Sequence, residues 1–229
     1  MPYSPRTFAV SPRFKIVCWI LLVLSVAGLA GATYLAITHK TMPLPYEQVI
    51  FHAINGLPDA FRPFVLWLTY FGSVWVFLAV GLLATITKRY RLAWWLSVSV
   101  AITYGAVYLI KNIVERSRPE GLLEQVAVRA HETSFGFPSG HTAVGTVIAL
   151  TLFFYLPKGI RWAIVPLWII GVGMSRVYLG VHSPLDVLGG ICIGVAVFAF
   201  LRVLPNRVRC WIKLSDDTKH ADSSEKTVV

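Results

Sequence analysis

Along this chain the apolar positions fall in long unbroken runs, with neither the stripe of a surface helix nor the alternation of a half-buried strand. Residues 16–38, 63–87 and 92–110 hold no charged side chain. A spanning helix needs about 20 apolar residues, each advancing about 1.5 Å through about 30 Å of hydrocarbon, so each run can cross a bilayer unaided. The second half differs. Residues 142–157, 162–175 and 187–201 form shorter runs, and ionisable residues border them on one side: His141, Arg176, and His182 with Asp186. The pattern predicts an all-α fold, an integral membrane bundle of six transmembrane helices. Between the first two spans, "PYEQVIFHAINGLPDAF" (45–61) sets Tyr46, Val49, Ile50, Ala53, Ile54 and Leu57 at spacings of three and four. That spacing fits a short interfacial helix on the outer membrane surface, or else a loop packed on the bundle.

Composition agrees with a membrane protein. The 229 residues are 56% hydrophobic and 14% charged, an apolar excess that water would not tolerate. A net charge of +10 would point to nucleic acid in a soluble protein, but here the basic residues sit between the runs. Arg6, Arg13 and Lys15 precede the first span; Lys88, Arg89 and Arg91 separate the second and third; Lys158 and Arg161 separate the fourth and fifth; Arg202, Arg207, Arg209 and Lys213 follow the sixth. The positive-inside rule makes these clusters and both termini cytoplasmic, with no nucleic-acid partner, and leaves 39–62, 112–140 and 177–183 outside. One membrane domain over 1–204 and a cytoplasmic tail over 205–229, partly disordered, are expected. A signal peptide would also begin with basic residues and an apolar stretch, but the first run exceeds an h-region and the topology needs a span there. Cys18, Cys192 and Cys210 form neither a disulfide framework nor a metal pattern and read as packing residues.

The charges inside this topology converge on one depth. Arg91 to Lys111 is about 30 Å of helix; counted from the cytoplasmic basic residues, His141, Arg176 and Asp186 lie about 22 to 25 Å in. Ionisable groups at that depth are costly unless they pair, face water or serve a ligand. Lys111, Arg118, His141, Arg176, His182 and Asp186 together offer an excess of donors, which suits an anion rich in oxygen, phosphate above all. In "PSGH" (138–141), Ser139 suits an N-cap and Gly140 admits close approach of a ligand to the backbone, so the helix start is an anion site faced by His141. In "HSPLD" (182–186), Ser183 suits a cap with Asp186 three residues on, or Asp186 turns to His182 and orients its imidazole. Two histidines beside a phosphate divide the labour of hydrolysis: His182 with Asp186 fits the nucleophile and His141 the acid for the leaving oxygen. Lys111, Arg118 and Arg176 would neutralise the transferring group. Glu115 and Arg116 either shape the pocket or pair in solvent, and the solvent pair is the plainer reading. "GICIG" (190–194) fits close packing of the sixth helix on a neighbour in the same chain more than dimerisation.

"KNIVERSRP" (111–119), "PSGH" (138–141) and "SRVYLGVHSPLD" (175–186) have the forms K-x6-RP, PSGH and SR-x5-H-x3-D. In this order they resemble the type 2 phosphatidic acid phosphatase superfamily. The resemblance implies a phosphatase that needs no metal and no cofactor and works through a phosphohistidine on His182. It implies His141 as acid, Asp186 as partner of His182, and phosphate binding by Lys111, Arg118, Ser139, Gly140 and Arg176. Its substrate would be a lipid phosphate or pyrophosphate, an isoprenyl pyrophosphate or a glycerolipid phosphate, met at the outer leaflet of a bacterial inner membrane with no obligatory protein partner. Two other readings remain open: a phosphotransferase passing the phosphoryl group to another lipid, and a transporter or lipid-binding protein using the same basic pocket.

Overall fold

Residues 12–204 are described by a computed structural model, and among them every regular element is a helix. Eight α-helices follow in order: α1 Pro12–Thr38, α2 Pro45–Asn55, α3 Arg62–Thr69, α4 Val74–Ile86, α5 Tyr90–Val114, α6 Gly140–Leu152, α7 Arg161–Tyr178 and α8 Pro184–Val203. The expected tail at 205–229 lies outside the described residues. Three of these helices, α1, α5 and α8, are long and apolar enough to cross a membrane alone, and α3 with α4 makes a fourth candidate if the bent pair is one span.

The run at 63–87, expected to cross by itself, is broken by a bend. The α3 and α4 segments meet at 56° across Gly72 and Ser73. The break has a packing cause. A Cβ on Gly72 would lie 2.4 Å from the carbonyl oxygen of His141 and 2.6 Å from Val172, so only glycine lets this turn press against α6 and α7. Ser73 Oγ donates to the Tyr70 carbonyl at 2.6 Å and Trp168 Nε1 donates to the Phe71 carbonyl at 3.1 Å, which satisfies the backbone that the break exposes. The expected fourth span also ends sooner, at Leu152 rather than at 157.

The bundle centres on α6, whose residues from Thr142 to Ala149 are all buried against α5, α7 and α8. A helix apolar on every face is one surrounded by others. Val144, Val147 and Ile148 meet Leu96, Val100, Ile193, Val197 and Phe198 in the main core. "GICIG" serves this contact as the sequence suggests: an added Cβ on Gly190 would meet the Ser139 carbonyl at 2.5 Å and one on Gly194 would meet Thr146 at 2.6 Å, both on α6 or its cap. Cys18 and Cys192 are buried and form no disulfide among the described residues, in keeping with a packing role; Cys210 lies outside the described residues. Trp19, Val23 and Leu24 of α1, Leu82 and Ile86 of α4, Leu109 and Ile113 of α5, and Trp162 and Leu167 of α7 are exposed. So much outward apolar surface suits a lipid environment.

The residues 45–55 do form a helix, α2, and its two faces sort sharply. Tyr46, Val49 and Ile50 are exposed, whereas Glu47, Phe51 and Asn55, one turn apart, are buried against the bundle. Asn55 Nδ2 donates to the carbonyls of Ala127 and Tyr178 at 3.0 Å each, tying α2 to the long α5–α6 connection and to α7. Arg129 completes the tie, with Nη1 to the Asn55 and Tyr178 carbonyls at 2.7 and 2.8 Å and its guanidinium over the Tyr178 ring.

Candidate active site

All eight residues singled out in the sequence lie at one end of the bundle, because helix ends put them there. Lys111 occupies the last turn of α5; the chain then closes that helix with Glu115 in a left-handed conformation, φ 51°, and turns inward through Arg116 and Arg118. Ser139 caps α6, its Oγ accepting from Thr142 N at 3.4 Å, and leaves the N–H groups of Gly140 and His141 at the helix mouth with no intrahelical acceptor. Arg176 comes from the last turn of α7, and His182 from the short link into α8. The helix α8 opens with a reciprocal cap: Ser183 Oγ accepts from Asp186 N at 3.5 Å while Asp186 Oδ2 accepts from Ser183 N at 2.8 Å. Ser139 N donates to the Asp186 carbonyl at 2.9 Å, so the starts of α6 and α8 are bonded to each other.

The two alternatives for Asp186, helix cap or histidine partner, are both met by one oxygen. Oδ2 caps Ser183 and also stands 3.5 Å from His182 Nδ1, at the limit of a hydrogen bond, and that nitrogen has no nearer partner among the described residues. With the proton on Nδ1 facing Asp186, His182 Nε2 is left as a free base facing the site. His182 is buried, 1% exposed, and burial, with help from Arg176 and Lys111 and against the pull of Asp186, holds its imidazole down to about 4.

The guanidinium of Arg118 is braced by protein: Nη1 donates to the Val181 carbonyl at 2.7 Å and Nε to the Ser134 carbonyl at 2.6 Å. Arg176 Nη1 donates to Thr69 Oγ1 at 2.9 Å, and its buried Nε has no partner among the described residues. Lys111 Nζ reaches the Phe135 carbonyl and, at 3.4 Å, Ser134 Oγ. Braced cations with donors to spare make a cradle for an anion.

The chain belongs to the PAP2 superfamily. The family model, described as PAP2 superfamily, matches residues 92–210, which take in every motif residue from Lys111 to Asp186. Undecaprenyl-diphosphatase of Sulfolobus acidocaldarius is 30% identical over 191 residues, 79% of this chain and 87% of that protein. Phosphatidylglycerophosphatase B of Bacillus subtilis is 37% identical over 110 residues, 44% of this chain and 52% of that protein, so this chain spans about half the length of that relative. Among solved structures, LpxE of Aquifex aeolicus superposes with a TM-score of 0.61 at 29% identity, covering 66% of this chain and 91% of that one.

Three residues of this PAP2 site escaped the sequence reading. Arg116, expected to pair with Glu115 in solvent, is fully buried. Its Nη1 donates to Asp186 Oδ1 at 3.0 Å, Ser183 Oγ at 2.7 Å and Glu47 Oε1 at 3.0 Å, and its Nη2 to Glu47 Oε2 at 2.8 Å. The correction follows from the left-handed turn at Glu115, which points successive residues opposite ways. Glu47, itself buried, thus joins α2 to the start of α8. Glu132 stands in the cradle. Its Oε2 accepts from Arg118 Nη2 at 2.8 Å and its Oε1 from Arg176 Nη2, with His141 Nδ1 at 3.8 Å and His182 Nε2 at 3.7 Å. Burial alone would raise this carboxyl, but Arg176, His182, Arg118 and His141 hold it down to about 2.

Proposed function

We propose that this protein is an integral membrane phosphatase that hydrolyses a lipid phosphate or pyrophosphate at the outer leaflet, through a phosphohistidine on His182. The observation that carries this reading is the arrangement of two histidines about one anion position. His182 Nε2 and His141 Nδ1 approach different oxygens of the Glu132 carboxylate, the chain's own anion, which Arg118 and Arg176 hold. In the reaction His182 Nε2 bonds to phosphorus as the bond to the lipid oxygen breaks, and His141 gives its proton to that oxygen. Water then attacks the phosphohistidine, with His141 taking its proton, and inorganic phosphate leaves. Asp186 holds the proton on His182 Nδ1 and balances the cation that forms. Lys111, Arg118 and Arg176, with the backbone at Ser139 and Gly140, neutralise the transferring oxygens.

A lipid substrate is favoured by the way in. A cleft of about 290 Å³, lined by Leu66, Thr69, Tyr70, Ser73, Val74, Trp75, Tyr104 and His141, opens where the α3–α4 break faces α5. It brings apolar surface up to His141, the residue assigned to the leaving oxygen, while His182 lies sealed behind. A tail left in the bilayer would present its phosphate in that order. Undecaprenyl diphosphate and phosphatidylglycerophosphate, the substrates in the names of the two relatives, are the first candidates.

In this reading α1, the α3–α4 pair, α5, α6, α7 and α8 make six crossings of the plasma membrane, α2 lies at the outer surface, and both termini are cytoplasmic. Single cysteines at 122, 124 or 125 should then be labelled from outside by an impermeant thiol reagent. Labelling only after the cytoplasmic face is opened would reverse the orientation. The chemistry is tested by phosphate release in EDTA from undecaprenyl diphosphate, phosphatidylglycerophosphate, phosphatidic acid and lipid A. Release that vanishes in His182→Ala supports the reading; full activity in that variant would sink the nucleophile, and transfer of phosphate to lipid without release would make the protein a transferase.

A further inference from the structure

The cation cradle already holds an anion, and it comes from the chain itself. The Glu132 carboxylate spans Arg118 and Arg176 and stands within 3.8 Å of both histidines. A substrate phosphate bonded to those guanidinium groups, with its phosphorus within reach of His182 Nε2, would have to occupy the same space. Glu132 and such a phosphate therefore exclude each other.

The surroundings of Glu132 fit an exchangeable group. It lies in the α5–α6 connection outside any helix and is 27% exposed, unlike the buried Arg116, Glu47 and Asp186. The cations do not depend on it for position. Arg118 keeps its bonds to the Ser134 and Val181 carbonyls, and Arg176 its bond to Thr69, when the carboxylate withdraws. The neighbouring anchor at Arg129 holds the connection to α2 and α7, so Glu132 can swing outward without the loop detaching.

We propose that Glu132 is a tethered stand-in for phosphate, which yields the cradle to the incoming lipid phosphate and returns to displace inorganic phosphate after turnover. This rests on the phosphatase reading of the site and adds an exchange step to it. The step discriminates between substrate and product by physical means. A group on a short tether competes at an effective concentration of about millimolar or more. A lipid is concentrated by its own anchor in the bilayer and can meet that competition, whereas free phosphate has no such anchor. If the carboxylate fills the cradle in nine molecules of ten, the apparent affinity for any phosphate is lowered about tenfold.

The test is inorganic phosphate binding to the full-length protein in detergent, by calorimetry, for wild type, Glu132→Gln and Glu132→Ala. Both variants should bind phosphate about tenfold more tightly, and phosphate should inhibit their turnover at correspondingly lower concentration. Unchanged or weaker binding in both overturns the proposal and makes Glu132 a brace for the arginines. A wild-type readout covers variants that fail to fold. Saturating phosphate should speed amide exchange at 130–133, and slower or unchanged exchange there counts against displacement. Tighter phosphate binding by the variants, with no lipid hydrolysed by wild type, would instead overturn the phosphatase reading while leaving the exchange in place.

Discussion

Arg116→Leu should separate what holds the site together from what makes it react. The guanidinium is fully buried and makes four bonds, two to Glu47 and one each to Ser183 and Asp186. Leucine fills the space but strands two buried carboxylates, Glu47 and Asp186, facing each other without a counter-ion. Removing one partner of a buried pair costs about 3–5 kcal/mol. The apparent unfolding midpoint in detergent should fall accordingly. Removing the second stranded charge in Arg116→Leu with Glu47→Leu should recover part of that loss.

Turnover should follow a different course. Asp186 loses a charge-assisted bond worth roughly 1.5–3 kcal/mol, so the His182 ring loses its fixed orientation and kcat falls about 10- to 100-fold. KM should change little, since Arg116 does not touch the cradle. The double variant should regain stability without regaining kcat, and Arg116→Lys should restore part of both. Wild-type stability in Arg116→Leu would refute the buried triad. Recovery of kcat in step with stability would make Arg116 a scaffold residue with no part in positioning His182.

Other outcomes follow from single contacts. Because the native His182 imidazole protonates only near 4 while an unfolded one does so near 6.5, the unfolded chain binds the extra proton between these values; stability is lost as pH is lowered through that window, by up to about 3 kcal/mol. Thermal unfolding from pH 7.5 to 4 measures this, and a His182→Gln variant with the same slope would contradict it. Glu132, held down to about 2, adds a second loss between pH 4.5 and 2 that Glu132→Gln should remove. Gly190→Ala drives a Cβ to 2.5 Å from the Ser139 carbonyl and should lower both stability, by about 1–3 kcal/mol, and kcat. Gly105→Ala, with nothing within 4 Å, is the control, and equal effects at the two positions would refute the packing argument. Glu47→Gln keeps a side chain of the same shape against Arg116 and removes one charge; kcat should drop more than the unfolding midpoint does, and a change in the midpoint alone would assign Glu47 to packing.

What could be read from the sequence was local or additive. Ser139 and Ser183 cap their helices because a hydroxyl three residues ahead of a free N–H is a short-range arrangement, visible in four letters. Lys111, His141, Arg176 and Asp186 were brought to one level by counting helical rise from the basic clusters, since a straight helix converts residue number into depth. The α3–α4 break was hidden because residues 63–87 are uniformly apolar, and hydropathy cannot register a bend whose cause is Gly72 against the His141 carbonyl. Arg116 was in view as a charge, and Glu132 is one acid among several in the 112–140 connection, but their roles depend on partners far along the chain. Glu47 is 69 positions from Arg116, and Arg176 is 44 from Glu132. No periodicity links such pairs; only the folded bundle does.

The charges of the site give these long-range pairs a common logic. Lys111, Arg116, Arg118 and Arg176 are four cations, and Glu47, Glu132 and Asp186 three carboxylates, so with neutral histidines the site carries one excess positive charge. Exchange of Glu132 for a phosphate dianion brings it to neutrality before His141 takes up the proton it gives to the leaving oxygen, and neutrality is the favoured condition for charges removed from water. The deeper triad is unbalanced the other way, one guanidinium between two carboxylates. Had Arg116 met Asp186 alone, the pair would be neutral and His182 would feel little field. Glu47 supplies the additional negative charge, and through Arg116 it leaves Asp186 a full counter-ion for the imidazole. In the proposed reaction that counter-ion is needed when Nε2 bonds to phosphorus and the ring becomes a cation. A helix set on the bundle by Glu47, Phe51 and Asn55 would in this way support the proposed chemistry at a histidine it does not touch.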